Sequence, residues 1–171
     1  IEIWFSLLMS RILNFHQSIA WFLSKKSLYL DNEGPWAVEM MAKVIIDLYH
    51  SLPTANHDGT EIEINIQEIN KEEYSITDKG YLQPLFDLEN YTKKELNRYF
   101  VDFLVHGSFA TRDYSRGWSD LDTYLILNDR VFQDPYEIIS LRDKLLVASK
   151  YLYKIDPLQH HGFIFATEYD T

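Results

Sequence analysis

The stretch Phe103-Leu-Val-His-Gly-Ser-Phe-Ala-Thr-Arg-Asp-Tyr-Ser-Arg-Gly-Trp-Ser-Asp-Leu-Asp-Thr-Tyr-Leu-Ile-Leu127 decides the fold. A hydrophobic run from Tyr99 to Val105 ends at His106-Gly107-Ser108. Eleven residues follow Ser108, and Asp120-Leu121-Asp122 then opens a second hydrophobic run that reaches Leu127. Two apolar runs of this length, separated by a turn and a polar spacer, predict two strands, Tyr99 to Val105 and Asp120 to Leu127. Side chains two apart on a strand share a face, so Asp120 and Asp122 are expected to project together while Leu121 enters the core.

Two carboxylates on one face repel each other unless a cation lies between them. Mg²⁺ takes oxygen ligands and normally binds one or two carboxylates together with phosphate oxygens. A pair of such ions activates an attacking oxygen and stabilises departing pyrophosphate. Gly107 has no side chain, so the backbone there can come close to a phosphate. Ser108 offers a hydroxyl and a backbone amide. In the spacer, Arg112 and Arg116 either grip a triphosphate through paired hydrogen bonds or stand as solvated loop charges. Trp118 is expected to pack the loop against the core, with stacking on a base as the alternative. His106 is expected to orient the turn. His16, His50 and His57 show no clustering.

The strand, the Gly-Ser turn, the spacer and the Asp-hydrophobic-Asp pair resemble the signature of the polymerase beta-like nucleotidyltransferases, over roughly residues 100–165. The resemblance implies transfer of a nucleoside monophosphate from a nucleoside triphosphate to an acceptor, with release of pyrophosphate. It implies Asp120 and Asp122 as catalytic ligands of Mg²⁺ or Mn²⁺, and Gly107, Ser108, Arg112, Arg116 and Ser119 at the nucleotide. The family usually carries a third carboxylate on a later strand. Here that strand, expected from Gln159 to Ala166, holds no acid; Asp156 precedes it, and Glu168 and Asp170 follow. His160 or His161 stands in the acid's place, and alternation puts only one of them on the active face. His161 is the choice, because it shares a face with the polar Gln159 as well as Phe163 and Phe165, whereas His160 sits with Leu158 and Ile164. A neutral imidazole suits the role of base better than that of Mg²⁺ ligand. The missing acid also admits a second reading, a catalytically reduced module that binds nucleotide or a protein.

Outward from the motif, Asp134-Pro135 with Glu137 predicts a helix start, and Ile138, Leu141, Leu145, Ala148 and Leu152 its buried face. Thr92 with Glu95 predicts a capping box and a short helix to about Arg98. Residues 61–66 alternate as a strand does, with Tyr74 to Thr77 as a candidate partner and Asp78-Lys79-Gly80 as turn chemistry. Helices are expected over residues 2–29 and from Trp36 to Ser51. The fold class is therefore α/β (α+β), a small mixed sheet with packed helices. Residues 1–90 are expected to form a helical extension with a possible hairpin, and 91–171 the nucleotidyltransferase-like core.

The chain has 171 residues with 46% hydrophobic side chains, enough for a real core. Its net charge is −10: residues 1–100 carry 9 Lys and Arg against 15 Asp and Glu, and residues 101–171 carry 7 against 11. Without a basic excess, long nucleic acid is a disfavoured partner, and a small molecule or a protein is the expected acceptor. The absence of cysteine removes disulfides and thiolate sites and fits the cytoplasm. The apolar stretch Ile3 to Leu23 is interrupted by Arg11, Asn14, His16 and Gln17, which argues against a membrane span. The chain opens on Ile1 and not on Met, as expected of a piece of a longer protein.

Overall fold

The computed structural model describes residues 2–24, 35–52, 70–157 and 162–170. Helix α1 spans Glu2–Ser24 and α2 spans Pro35–His50. After a short 3-10 turn at Lys71–Glu73, α3 runs Ile76–Tyr91 and continues into a π turn at Thr92–Leu96. Strand β1 is Phe100–His106, α4 is the single turn Ser108–Thr111, and β2 is Asp122–Leu127. A 3-10 turn at Asp129–Phe132 leads to α5, Pro135–Ile155. Strand β3, Phe163–Thr167, is followed by a last 3-10 turn at Glu168–Asp170.

The sheet is mixed, in the order β1-β2-β3. Strands β1 and β2 are antiparallel, with His106 opposite Asp122 and Val105 opposite Thr123. Strands β2 and β3 are parallel, with Thr123 beside Phe163 and Leu127 beside Thr167. Parallel neighbours need a long crossover, and α5 supplies it. Asp134 begins α5 as the sequence predicts: its carboxylate accepts from the Tyr136 amide at 2.9 Å, and Pro135 fills the first helical position. Such a cap stabilises a helix by about 1 kcal/mol.

One face of the sheet is dry. Leu121, Leu125 and Leu127 are buried with Phe163 and Phe165, in the same cluster as Ile138, Leu141, Leu145 and Leu152 of α5. Phe15, Ile19, Phe22 and Leu23 of α1 and Ala42 and Ile45 of α2 belong to that cluster too. Each such Leu, Ile or Phe side chain contributes about 1.5–3 kcal/mol through burial, before the entropy of ordering it is subtracted. Among the described residues no helix is long and apolar enough to cross a membrane.

Three expectations are corrected. Tyr74 to Thr77 is not a strand: Ser75 caps α3, its hydroxyl accepting from the Asp78 amide at 3.1 Å. Asp78-Lys79-Gly80 is accordingly the first turn of a helix and not a hairpin turn. Thr92 does not start a helix either; it is buried and helical, and its amide donates to the carbonyls of Leu88 and Glu89. The reason is common to both sites. The sixteen-residue helix α3 carries Gly80 and Pro84 inside it, and burial of Leu82, Leu85, Phe86 and Leu88 outweighs their poor helix propensity. The expected strand over 61–66 lies outside the described residues.

At the far end of the sheet, His16 of α1 hydrogen-bonds Asp170 at 3.0 Å. That hydrogen bond raises the His16 pKa above 6.5 despite partial burial. Burial pushes Asp170 up, but hydrogen bonds from His16 and from the Thr167 amide and hydroxyl outweigh it and hold the carboxyl below 3.8. The carboxylate's contribution is lost as pH falls through its depressed pKa, and the imidazolium's as pH rises through its elevated one. The pair therefore stabilises fully between 3.8 and 6.5, the ordinary values of the two groups. His16→Ala is expected to cost on the order of 1 kcal/mol at about pH 5 and much less at about pH 9, read by urea unfolding at both. An equal loss at both pH values would refute the ionic contribution.

Candidate functional site

Strand β1 hands the chain to Gly107, which turns it with φ 69° and ψ −150°. This region of backbone space is essentially reserved for glycine. The turn brings Gly107 against the first residue of β2: a Cβ placed on Gly107 would sit 3.2 Å from Asp122 Oδ2. Asp122 is also the last residue of β2 to pair with β1, opposite His106.

Burial alternates without a break from Leu121 to Leu127. Leu121, Thr123, Leu125 and Leu127 are at most 1% exposed, while Asp122, Tyr124 and Ile126 on the other face are partly exposed. Leu104 and His106 lie across from Tyr124 and Asp122, and Ile164 lies beside Tyr124. The His106 ring meets Tyr124 edge-on, centroids 6.2 Å apart. The carboxylate of Asp122 thus belongs to the partly open face of the sheet. Strand β2 begins at Asp122 and not at Asp120 as expected, because β1 ends at His106 and offers Asp120 no ladder partner. Asp120 is exposed just before the strand, and Leu121 is fully buried between the two acids.

The spacer is held from behind by the start of α3. Arg112 forms an ion pair with Glu73 and lies over the Tyr74 ring, 5.4 Å from its centroid. Arg116 Nε donates to Asp78 at 3.0 Å, and its terminal nitrogen pairs with the same carboxylate. The Tyr114 hydroxyl donates to Asp78 at 3.1 Å, and the Ser75 hydroxyl donates there as well. These donors, Ser75 first and Arg116 next, hold Asp78 below the usual carboxylate range. Burial, reinforced by the Asp78 charge, pushes the Tyr114 phenol up to about 12. Phe109 and Tyr114 stack in parallel with centroids 4.6 Å apart, and Tyr81 stacks beyond Tyr114 at 6.0 Å. The Tyr81 hydroxyl accepts from the Gly117 amide at 3.1 Å and donates to the Ile155 carbonyl at the end of α5 at 3.4 Å.

The sequence candidates are therefore distributed unequally. Gly107 and Asp122 come together, with Ser108 half-buried at the head of α4. Arg112 and Arg116 are engaged by Glu73 and Asp78. Ser119 closes the loop, its hydroxyl accepting from the Ser115 amide at 2.8 Å. Trp118 does not pack against the core as expected; its side chain is 87% exposed, because the aromatic ladder of Phe109, Tyr114 and Tyr81 already anchors the loop. Asp78 and Tyr81 were not candidates, although Ser75-Ile-Thr-Asp78 carries the spacing of a helix cap with an acid three residues on.

His160 and His161 lie outside the described residues. Phe163 and Phe165, the expected companions of His161 on the active face, are buried on the core side with Leu125. Gly162 has φ 65°, so strand alternation does not carry back through it. Of the nearby acids, Asp170 follows the opposite end of the sheet, where Leu127 pairs with Thr167, roughly 17 Å of strand away from Asp122. Asp156 is buried at the end of α5.

The missing side chain of Gly107 leaves room at Asp122 Oδ2, and Asp120 lies exposed two residues earlier; carboxylate oxygens are the donor type that Mg²⁺ or Mn²⁺ takes. Among the described residues no group of three or more His, Asp or Glu side chains is placed to hold a metal.

Neither the protein-family models, nor the curated proteins, nor the solved structures yield a match to this chain.

Gly107→Ala forces a side chain into the space beside Asp122 and a strained backbone onto the turn. It is expected to destabilise by on the order of 1–3 kcal/mol, seen as a lower midpoint in urea. Gly80→Ala, in α3 with nothing within 4 Å of the new methyl, is expected to be neutral or stabilising. Parental stability of Gly107→Ala would contradict the reading of the turn.

Proposed function

We propose that this chain is a metal-dependent nucleotidyltransferase of the polymerase beta-like kind. It would transfer a nucleoside monophosphate from a nucleoside triphosphate to a small-molecule or protein acceptor and release pyrophosphate. The observation that carries the reading is the seat of the Asp122 carboxylate against Gly107, at adjoining ends of two strands on the partly open face of a mixed sheet. The sequence of elements also supports it: strand, Gly-Ser turn, spacer, strand beginning at Asp122, helix, strand.

Asp120 and Asp122 would hold the cation, which when bound supplies charge neutralisation for the phosphates and polarises the attacking oxygen. Gly107 admits the phosphate chain close to the backbone, and Ser108 donates from its hydroxyl. The overall transfer forms a bond from an acceptor oxygen to the α-phosphorus and breaks the bond to the pyrophosphate oxygen. The acceptor's proton passes to a base, a role proposed for His161. Arg112 and Arg116 act first on the loop, through Glu73 and Asp78; gripping the triphosphate would require either to exchange a carboxylate for a phosphate. The charge of −10 favours an acceptor other than long nucleic acid, and the cysteine-free chain fits a cytoplasmic reaction.

The second reading, a module that binds nucleotide or protein without transferring anything, draws support from the sequence, whose expected third strand carries no acid between Gln159 and Ala166. Calorimetry with ATP, with and without Mg²⁺, tests what both nucleotide readings share. Binding is expected to tighten at least tenfold with Mg²⁺, and Asp120→Asn combined with Asp122→Asn is expected to abolish the difference. Equal affinity with and without metal in the parent protein would count against the transferase. Mass spectrometry of products from protein and small-molecule acceptors then separates transfer from binding.

A further inference from the structure

Among the described tryptophan side chains, Trp21 is 38% exposed, Trp36 is 62% exposed and Trp118 is 87% exposed. The first two lie on helices; Trp118 lies in the spacer, two residues before Asp120. Two residues of extended chain span no more than about 7 Å, so the indole is rooted within one nucleotide's length of the paired acids.

An indole so open to solvent is ordinarily the mark of a loose loop, but this loop is tied at every turn. The Trp118 and Ser119 amides both donate to the Ser115 carbonyl, at 3.0 and 2.9 Å, and the Ser119 hydroxyl accepts from the Ser115 amide. Gly117, with φ 71°, donates its amide to the Tyr81 hydroxyl. On the other side, Arg116 and Tyr114 converge on Asp78. Aromatic partners that a Trp would use if packing were its role stand in the loop and on the helix beside it. Phe109, Tyr114 and Tyr81 stack on one another and leave Trp118 out. The chain fixes the backbone on both sides of the largest side chain available to it and leaves that side chain in water.

An exposed aromatic ring on a tied backbone, beside the proposed phosphate site, is what a flat heterocycle needs. Stacking on it costs little ordering entropy, because the backbone beneath is already fixed. Stacking is indifferent to base-edge hydrogen bonds and grows with ring area, so a two-ring base gains more than a one-ring base. We propose that Trp118 is the stacking platform for the base of a purine nucleoside triphosphate whose phosphates lie at Asp120 and Asp122. This rests on the nucleotide reading of the Asp pair and adds to it a substrate class and the residue that selects it.

The test titrates Mg²⁺-ATP, Mg²⁺-CTP and Mg²⁺-tripolyphosphate, which has no base, into the parent protein, Trp118→Ala, Trp118→Phe and the double variant Asp120→Asn with Asp122→Asn. Calorimetry gives affinity, and indole fluorescence reports contact. Trp118→Ala is expected to weaken Mg²⁺-ATP by on the order of tenfold and leave Mg²⁺-tripolyphosphate unchanged. Trp118→Phe is expected to retain most of the ATP affinity. ATP is expected to bind more tightly than CTP in the parent, and to quench fluorescence that Trp118→Phe no longer shows. Unchanged ATP affinity in Trp118→Ala overturns the proposal, as does equal weakening of ATP and tripolyphosphate, which would make Trp118 a structural residue of the loop. Failure of the parent to bind ATP overturns it together with the reading of the Asp pair. Equal binding of every ligand by the parent and the Asp double variant sinks the Asp-pair reading and with it the placement of the phosphates; a base-dependent loss in Trp118→Ala then upholds only the stacking of a base on Trp118.

Discussion

Gly107 and Asp122 meet because β1 ends in a backbone conformation that a side chain rarely tolerates. With φ 69° and ψ −150°, the chain leaves the strand and turns at once into α4, so that the turn lies against the Oδ2 of the first residue of β2. Three features follow from that constraint. The β1–β2 ladder stops at the His106–Asp122 pair, which leaves Asp120 beyond it and exposed. Leu121 drops into the core between the acids. The spacer must then leave and return within eleven residues, which commits it to a compact loop.

That loop is stabilised through groups outside the motif. Asp78 sits in the first turn of α3, where a negative charge is favoured by the unpaired amides of the helix start. It gathers donors from Ser75, Tyr114 and Arg116, so one carboxylate serves both the helix and the loop. Tyr81, one turn further on, links Gly117 of the loop to the last carbonyl of α5. The loop between the Gly-Ser turn and the Asp pair is thus tied to the helices on both sides of the sheet sequence. A preorganised loop of this kind suits a site that must present several groups to one ligand without paying for their ordering each time.

The two strands around the spacer and the helix after them were legible from sequence because local signals there agree with the tertiary outcome. Asp134-Pro135 is a cap followed by a favoured first helical residue, and α5 starts where those residues require. Leu121, Leu125 and Leu127 alternate with Asp122, Tyr124 and Ile126, and the sheet buries the first set deeply. The segment from Tyr74 to Leu96 misled because local and tertiary signals conflict: Asp78-Lys79-Gly80 read as turn chemistry, and Thr92 with Glu95 as a fresh start, inside one helical run held by Leu82, Leu85, Phe86 and Leu88. The partners of Arg112 and Arg116 were out of reach for another reason. Glu73 and Asp78 lie 39 and 38 residues away in sequence, and no pattern pairs charges across such distances. Trp118 was misjudged because a general preference for burying aromatics says nothing about which of several aromatics a loop will use as its anchor.

The central claim is that the Gly107 turn and the paired acids form one cation site. Paramagnetic broadening by Mn²⁺ in amide NMR spectra tests it most directly, since broadening falls off steeply with distance from the ion and needs no acceptor. Substoichiometric Mn²⁺ is expected to erase the amide signals of Gly107, Ser108, Asp120, Leu121 and Asp122 first, and ATP is expected to sharpen that selectivity. Broadening confined to other acidic surfaces, such as the one around Asp87 and Glu95, or uniform weak broadening of the whole spectrum, would contradict it.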